Sequence, residues 1–260
     1  MPFKANSSSS PDAVLRATIL LIALAAWAAL WLWGRSPYGH FLLHGTAHLH
    51  ATPVSPASFA PLFVGGWTLM TLAMMLPTSL PLVLMFHRMV RERPGASGLV
   101  ALLIAAYLAV WAACGILLLL LNVLLRMGVA SLPWVSARPA IGSAVVLTIA
   151  GLYQFSSLKY ACLDNCRSPL SLLMTRWRGH NGPRQALRIG AEHGLYCVGC
   201  CWSLMLLMFL VGAGSLAWML LLGVVMATEK NLSWGRRLSA PLGVICLLGA
   251  VVAVITEVTA

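Results

Sequence analysis

The sequence predicts an all-α fold, a polytopic transmembrane helical bundle of about seven spans with its N-terminus inside and its C-terminus outside. Three observations carry this. Of the 260 residues, 60% are hydrophobic and 9% are charged, against roughly 25% charged in soluble domains. Apolar runs long enough to cross a hydrocarbon core, which takes about 20 residues, recur along the chain. The basic residues gather in alternate connecting segments, as the positive-inside rule requires.

The elements follow in order. Residues 1–12, with Ser7 to Ser10 before Pro11 and Asp12, read as a short disordered tail, which leaves 13–260 as one transmembrane helical domain. The first apolar run, Val14 to Trp33, exceeds a signal h-region and lacks a cleavage site, so it is expected as a retained helix. An outer loop spans 34–60 and holds His40, His44, His48 and His50. Their i, i+4, i+8 spacing suits capture of Zn(II), Cu(II) or Ni(II). A weakly structured interfacial loop reads equally well. Further spans are expected over 62–86, 99–121, 141–158, 190–212, 214–228 and 240–257. The sixth is short, and Gly212 and Gly214 make its connection to the fifth tight.

With the N-terminus inside, the inner segments hold Lys4, Arg16, Arg88, Arg91, Arg93, Lys159 and Arg167. They also hold Arg176, Arg178, Arg184, Arg188, Lys230, Arg236 and Arg237, and the outer segments hold only Arg35, Arg126 and Arg138. The formal net charge of +11 is thus a topology signal. No aromatic–basic interleaving and no nucleic-acid motif accompany it, which excludes a nucleic-acid partner.

This topology gathers a set of soft donors. Cys162 and Cys166 fall at the cytoplasmic end of the fourth span, and Glu192 and His193 at the mouth of the fifth. Cys200 lies about ten residues deeper, roughly 15 Å into the bilayer. At about 100° per residue, His193, Cys197, Cys200, Cys201 and Met208 share one stripe about 100° wide. On the second span Met70, Met74, Pro81 and Met85 fall within about 60° of one another, with Met75 to one side. Pro77 cannot donate to the carbonyl of Ala73, so the helix loosens there, and in lipid the freed carbonyl needs a partner or a cavity. Spans two and five are therefore expected to face each other across a site made of Cys162, Cys166, Glu192, His193, Cys197, Cys200, Cys201, Met74 and Met75. Thiolate and thioether donors favour Cu(I), and thiolate with imidazole also suits zinc.

Plainer roles compete for some of these residues. Cys114 and Cys246, each alone in a span, read as small packing residues, and methionine is an ordinary gap-filler. Trp67, Trp111, Trp202 and Trp218 read as packing or interface anchors. Gly190 and Gly194 form a small-xxx-small pair suited to close helix packing. Glu229 and Lys230 are either an ordinary ion pair near the head groups or a pair closing the mouth beside Glu192.

Three blocks carry a family resemblance. The first runs from Trp67 to Pro77 and ends Leu-Ala-Met-Met-Leu-Pro. The second is Tyr153-Gln154 followed by Cys162-Leu-Asp-Asn-Cys166-Arg-Ser-Pro169. The third is His193-Gly-Leu-Tyr-Cys197-Val-Gly-Cys-Cys-Trp-Ser-Leu-Met205, then Trp218-Met219 and Glu229-Lys230. Together they resemble the bacterial family of predicted metal-binding integral membrane proteins sometimes labelled a copper chaperone. The resemblance covers most of the chain after residue 60. It implies a metal-binding inner-membrane protein whose candidate ligands are Cys162, Cys166, Cys197, Cys200, Cys201 and His193. Gly214 stands where that pattern places a methionine, which removes a thioether from the turn.

The expectation is a multi-pass protein of the bacterial inner membrane that binds copper(I), with zinc as the other candidate, and delivers or transports it. Its partners would be the lipid bilayer, the metal ion, and a metallochaperone or a metalloenzyme under assembly. No ATP-binding motif is present, and no enzymatic role is expected. The alternative is a membrane thiol-disulfide oxidoreductase using the Cys197/Cys200 pair. The reducing inner side argues instead for free or metal-bound thiols.

Overall fold

The computed structural model describes residues 11–36, 56–130, 139–211 and 215–259. All regular structure among them is helical. The helices are α1 (Pro11–Arg35), α2 (Pro56–Met74), α3 (Leu80–Val90), α4 (Ala96–Ala130), α5 (Pro139–Gln154) and α6 (Ser157–Arg167). They continue as α7 (Pro169–Arg176), α8 (Gly182–Leu206), α9 (Met208–Val211), α10 (Leu216–Asn231) and α11 (Ser239–Thr259). Short 3-10 turns at Pro77–Ser79 and Gly235–Leu238 precede α3 and α11. The histidine-rich loop and the Gly212/Gly214 turn lie outside the described residues.

Where the sequence predicts seven spans, the described residues show three to five candidates. Three helical stretches are long and apolar enough to cross a membrane: Pro11–Arg35, Ala96–Leu124 and Gly235–Thr259. Two bent pairs, Ala60–Met74 with Pro77–Val90 at 46° and Ala140–Gln154 with Ser157–Arg167 at 63°, raise the number to five. The expected fifth and sixth spans fall short for physical reasons. Helix α8 carries Arg184, Arg188, Glu192 and His193 in its first half, and α10 has 16 residues and ends near Glu229 and Lys230. The first helix also starts at Pro11, inside the expected tail. Asp12 ties that end down, accepting from Arg88 Nε at 2.7 Å and lying 3.1 Å from His87 Nδ1.

Polarity is arranged opposite to that of a soluble domain. Leu21, Leu24, Leu117, Leu124, Val251 and Val258 are exposed, while Gln154, Lys159, Glu229 and Lys230 are buried. A contiguous aliphatic exterior of this kind is compatible with membrane insertion.

Close helix contacts follow from small residues. A Cβ on Gly190 would collide with the backbone carbonyl of Leu103, and one on Gly194 would come within 2.9 Å of Val110 Cβ. The glycine pair thus lets α8 lie directly against α4. A Cβ on Gly151 would meet Leu247 Cγ at 2.8 Å, and α5 packs on α11 in the same way.

The breaks in the bent pairs have local causes. Pro77 interrupts the second span, and the Met70, Met74, Pro81, Met85 face is therefore not one continuous helical stripe. The carbonyl of Ala73, which a proline at 77 cannot serve, accepts from Trp27 Nε1 at 3.1 Å. The carbonyl of Met75 accepts from Thr78 Oγ1 at 2.8 Å, Ser79 Oγ at 3.3 Å and Tyr107 Oη at 3.3 Å. The second bend falls at Phe155–Ser156, where Ser156 is extended and its side chain caps α6 by accepting from the Lys159 amide. Tryptophan serves a further broken ladder, with Trp218 Nε1 donating to the Leu207 carbonyl at 3.2 Å. Trp27→Phe removes the Ala73 partner and keeps an aromatic ring. It is expected to cost about 1–3 kcal/mol, the penalty of an unpaired buried carbonyl. Thermal unfolding in detergent measures this, and an unchanged midpoint would show that the bond contributes nothing.

Candidate metal centre

Helix α8 brings Cys197, Cys200 and Cys201 into the interior, each 1% exposed or less. The i, i+3, i+4 spacing puts all three on one side of the helix. The thiols of Cys200 and Cys201 both donate to the Cys197 carbonyl, at 3.2 Å and 2.9 Å. The Cys197 sulfur meets two polar groups. Lys230 Nζ donates to Cys197 Sγ at 2.9 Å, and Tyr107 Oη lies 3.1 Å from the same sulfur.

Lys230 Nζ is the centre of a wider sulfur cage. It lies 3.3 Å from Met75 Sδ and 3.8 Å from Cys201 Sγ, and Cys201 Sγ is 3.9 Å from Met75 Sδ. Three sulfurs from two helical segments therefore surround one buried cation within 4 Å. Cys166 packs against the same cluster of buried residues that holds Cys197 and Cys200. The cage is thus built from α8, the end of the second span, α6 and α10.

Each element reaches the cage for a stated reason. Met75 closes the last turn of α2, its amide donating to the Thr71 carbonyl at 2.8 Å, and its side chain, 0% exposed, reaches Cys201 on α8. The 63° bend after Gln154 lays α6 across α8 and carries Cys166 inward. Cys162 packs beside it, against α8 at Gly199, where a Cβ would come within 2.5 Å of Cys162 Sγ. Tyr153 donates to the Gly199 carbonyl on the same face.

Glu229 and Lys230 do not pair with each other. Successive helical residues diverge by about 100°, so the two chains point into different surroundings. Lys230 enters the sulfur cage. Glu229 Oε1 accepts from Lys159 Nζ at 2.8 Å and from Ser239 Oγ at 2.8 Å. Lys159, fully buried, also donates to Gln154 Oε1. Arg167 donates to the Glu229 carbonyl and to that of Ser233, the latter at 3.0 Å, which fastens the C-terminal end of α10 to α6.

The remaining candidates are distributed around this cage. His193 is buried one turn before Cys197, with Nε2 3.2 Å from Ser79 Oγ and with Nδ1 lacking a hydrogen-bond partner. Glu192 turns away and is held by Arg176 Nε at 2.7 Å and Arg188 Nε at 2.9 Å. Those two arginines occupy both carboxylate oxygens, so Glu192 closes no mouth with Glu229. Met74 packs toward Gly223, where a Cβ would meet Met74 Cε at 3.2 Å. Met208 is buried beyond the end of α8, and Cys246 packs on α11.

A cavity of about 180 Å³ adjoins the cage. Ser79, Cys166, Arg167, His193, Lys230 and Asn231 line it. The cage lysine, His193 and a cage cysteine meet in it.

Among the described residues, no three His, Cys, Asp or Glu side chains are arranged to hold a metal ion. The donors are nonetheless soft and close, and a cation already stands among them. Three sulfurs within 4 Å of a buried ammonium mark a position where positive charge is solvated by thiol and thioether. Thiol and thioether donors favour soft ions over oxygen-seeking ones. Sequence reasoning found the cysteines but missed Lys230 as a cage member, together with Tyr107, Lys159 and Gln154. Their signal was composition. A lysine and a glutamate adjacent to each other at the end of an apolar helix are costly unless each has its own partner.

The family model described as copper chaperone, PpoB2, matches residues 64–253, a stretch that contains every residue of the cage. No curated protein and no solved structure matches the chain.

Proposed function

We propose, from the premise that this chain belongs to the PpoB2 copper chaperone family, that it is a multi-pass protein of the bacterial inner membrane that receives Cu(I) and hands it on. Copper is the cargo, not a resident cofactor, and the protein acts by binding and delivery without catalysing a reaction. The basic segments mark the cytoplasmic side, so the cage opens toward the cytoplasm through the cavity lined by His193 and Cys166. The observation that carries this reading is the set of three sulfurs around one buried cation. Cys197 and Cys201 supply thiolates, Met75 a thioether, and Cys166 and Cys200 stand against them as further sulfur donors. Two- or three-coordinate sulfur ligation is what Cu(I) accepts and what hard ions reject. The sequence holds no ATP-binding motif, so this reading invokes no ATP-driven step by the chain; the recipient would be a metallochaperone or a metalloenzyme under assembly.

Cu(I) titration against a competing chelator tests the site. Replacing Cys200 and Cys201 together with Ser is expected to abolish tight binding, while Cys114→Ser and Cys246→Ser leave it intact. Wild-type stoichiometry in the double variant would mean that these cysteines only pack. Rapid alkylation of the purified protein is expected to find Cys197 and Cys200 as free or metal-bound thiols. A predominant disulfide between them would favour the thiol oxidoreductase instead.

A further inference from the structure

The geometry points to Lys230 as the residue that sets the charge of the cargo: its ammonium occupies the sulfur cage in the cargo-free state, and on loading it withdraws into the adjoining cavity and stays near enough to repel a divalent ion more than a monovalent one. This rests on the cage reading given above.

The argument begins with what a buried ammonium requires. Lys230 is only 6% exposed, and its nearest polar atoms are Cys197 Sγ at 2.9 Å, Met75 Sδ at 3.3 Å and Cys201 Sγ at 3.8 Å. The buried carboxylate of Glu229 is taken by Lys159 and Ser239. Lys230 is therefore held by sulfur, and an arriving soft cation competes for the same atoms.

The lysine also has somewhere to go. It lines the cavity of about 180 Å³ together with Ser79, His193 and Asn231. His193, whose buried Nδ1 has no hydrogen-bond partner, also lines that space. A lysine chain has four flexible carbons, so its ammonium can leave the cage while its backbone stays fixed by the Arg167 bond to the Glu229 carbonyl. Arg167 lines the same cavity, and the withdrawn ammonium would sit beside it at the mouth.

The consequence is selection by charge in addition to softness. Repulsion from a nearby unit charge is twice as large for a divalent as for a monovalent ion at the same place. Zinc shares with Cu(I) an affinity for thiolate, so sulfur alone separates them incompletely. A resident positive charge supplies the missing discrimination.

The test compares Cu(I), Ag(I) and Zn(II) by chelator competition in the wild type, Lys230→Gln, Lys230→Met and Lys230→Arg, in detergent. Neutralising Lys230 is expected to raise Zn(II) affinity relative to Cu(I) and Ag(I) by at least about tenfold, the effect of removing one like charge a few ångströms away. Lys230→Arg is expected to keep the wild-type ratio. An unchanged ratio in both Lys230→Gln and Lys230→Met overturns the assignment. A second measurement uses the wild type alone: amine-reactive labelling followed by peptide mass spectrometry. Ag(I) saturation is expected to increase labelling of Lys230 severalfold as it moves to the cavity, and unchanged or reduced labelling overturns the withdrawal even if no variant folds. Failure of the cage reading looks different, because then the Cys200/Cys201 double variant would bind Cu(I) like the wild type.

Discussion

Glu229→Gln is expected to lower the stability of the detergent-solubilised protein by about 3–5 kcal/mol, the cost of leaving a buried charge without its counter-ion. Lys159 and Glu229 are 0% and 1% exposed, and their ion pair spans 2.8 Å between α6 and α10. Gln154 and Ser239 complete the hydrogen bonds of the pair. A glutamine at 229 keeps the shape and an acceptor oxygen but removes the charge, so the ammonium of Lys159 remains buried with neutral partners only. The double replacement Lys159→Met with Glu229→Leu removes both charges, and most of the loss should be recovered. Thermal and denaturant unfolding of Lys159→Met, Glu229→Leu and the double variant form the cycle. Additive losses would show that the pair is not coupled, and the idea that it holds α6 against α10 would fall. The expected effect also reaches the cage, because α6 carries Cys166 and α10 carries Lys230. Partial loss of Cu(I) binding should therefore accompany the loss of stability.

Cys197→Ser should weaken Cu(I) binding by more than about 100-fold, beyond the 10–100-fold typical of residues that only support a ligand. Cys197 has the most connected sulfur in the cage. It meets Lys230 at 2.9 Å and Tyr107 at 3.1 Å. Its backbone carbonyl also orients the other two thiols of α8. Serine keeps that carbonyl and approximate size, so the change reports on the sulfur atom rather than on the helix. Tyr107→Phe is the matching control. It deletes one hydrogen bond to the sulfur and should stay within the 10–100-fold range. Equal losses in Cys197→Ser and Tyr107→Phe would place Cys197 outside the set of direct donors.

The α8 cysteine stripe was legible because helical periodicity is local. Residues 197, 200 and 201 share a face whatever surrounds them, and the structure buries all three. The close packing implied by Gly190 and Gly194 was legible for the same reason. The Pro77 break was legible as a lost donor, since no sequence context restores an N–H to proline. Its consequences were not. Trp27 satisfies the Ala73 carbonyl from 46 residues away, and Met75, the methionine off the expected face, is the one whose sulfur joins the cage.

The span count shows the same limit from another side. Hydropathy marked apolar segments well, yet two of them bend and two are too polar or too short to cross alone. A window average does not register where a serine cap redirects a helix, as Ser156 does, or whether a charged residue at a helix end finds a buried partner.

The sequence by itself determined the helical class, the apolar exterior, the concentration of thiols on one helix and the basic bias of alternate segments, because each depends on residue type and near spacing. Tertiary structure alone decided that Glu229 pairs with Lys159, that Glu192 is bound by two arginines, and that Lys230 is the cation among the sulfurs. Those outcomes depend on which groups meet across distant helices, and the energy of burying a charge is set by its partner rather than by its neighbours in the chain.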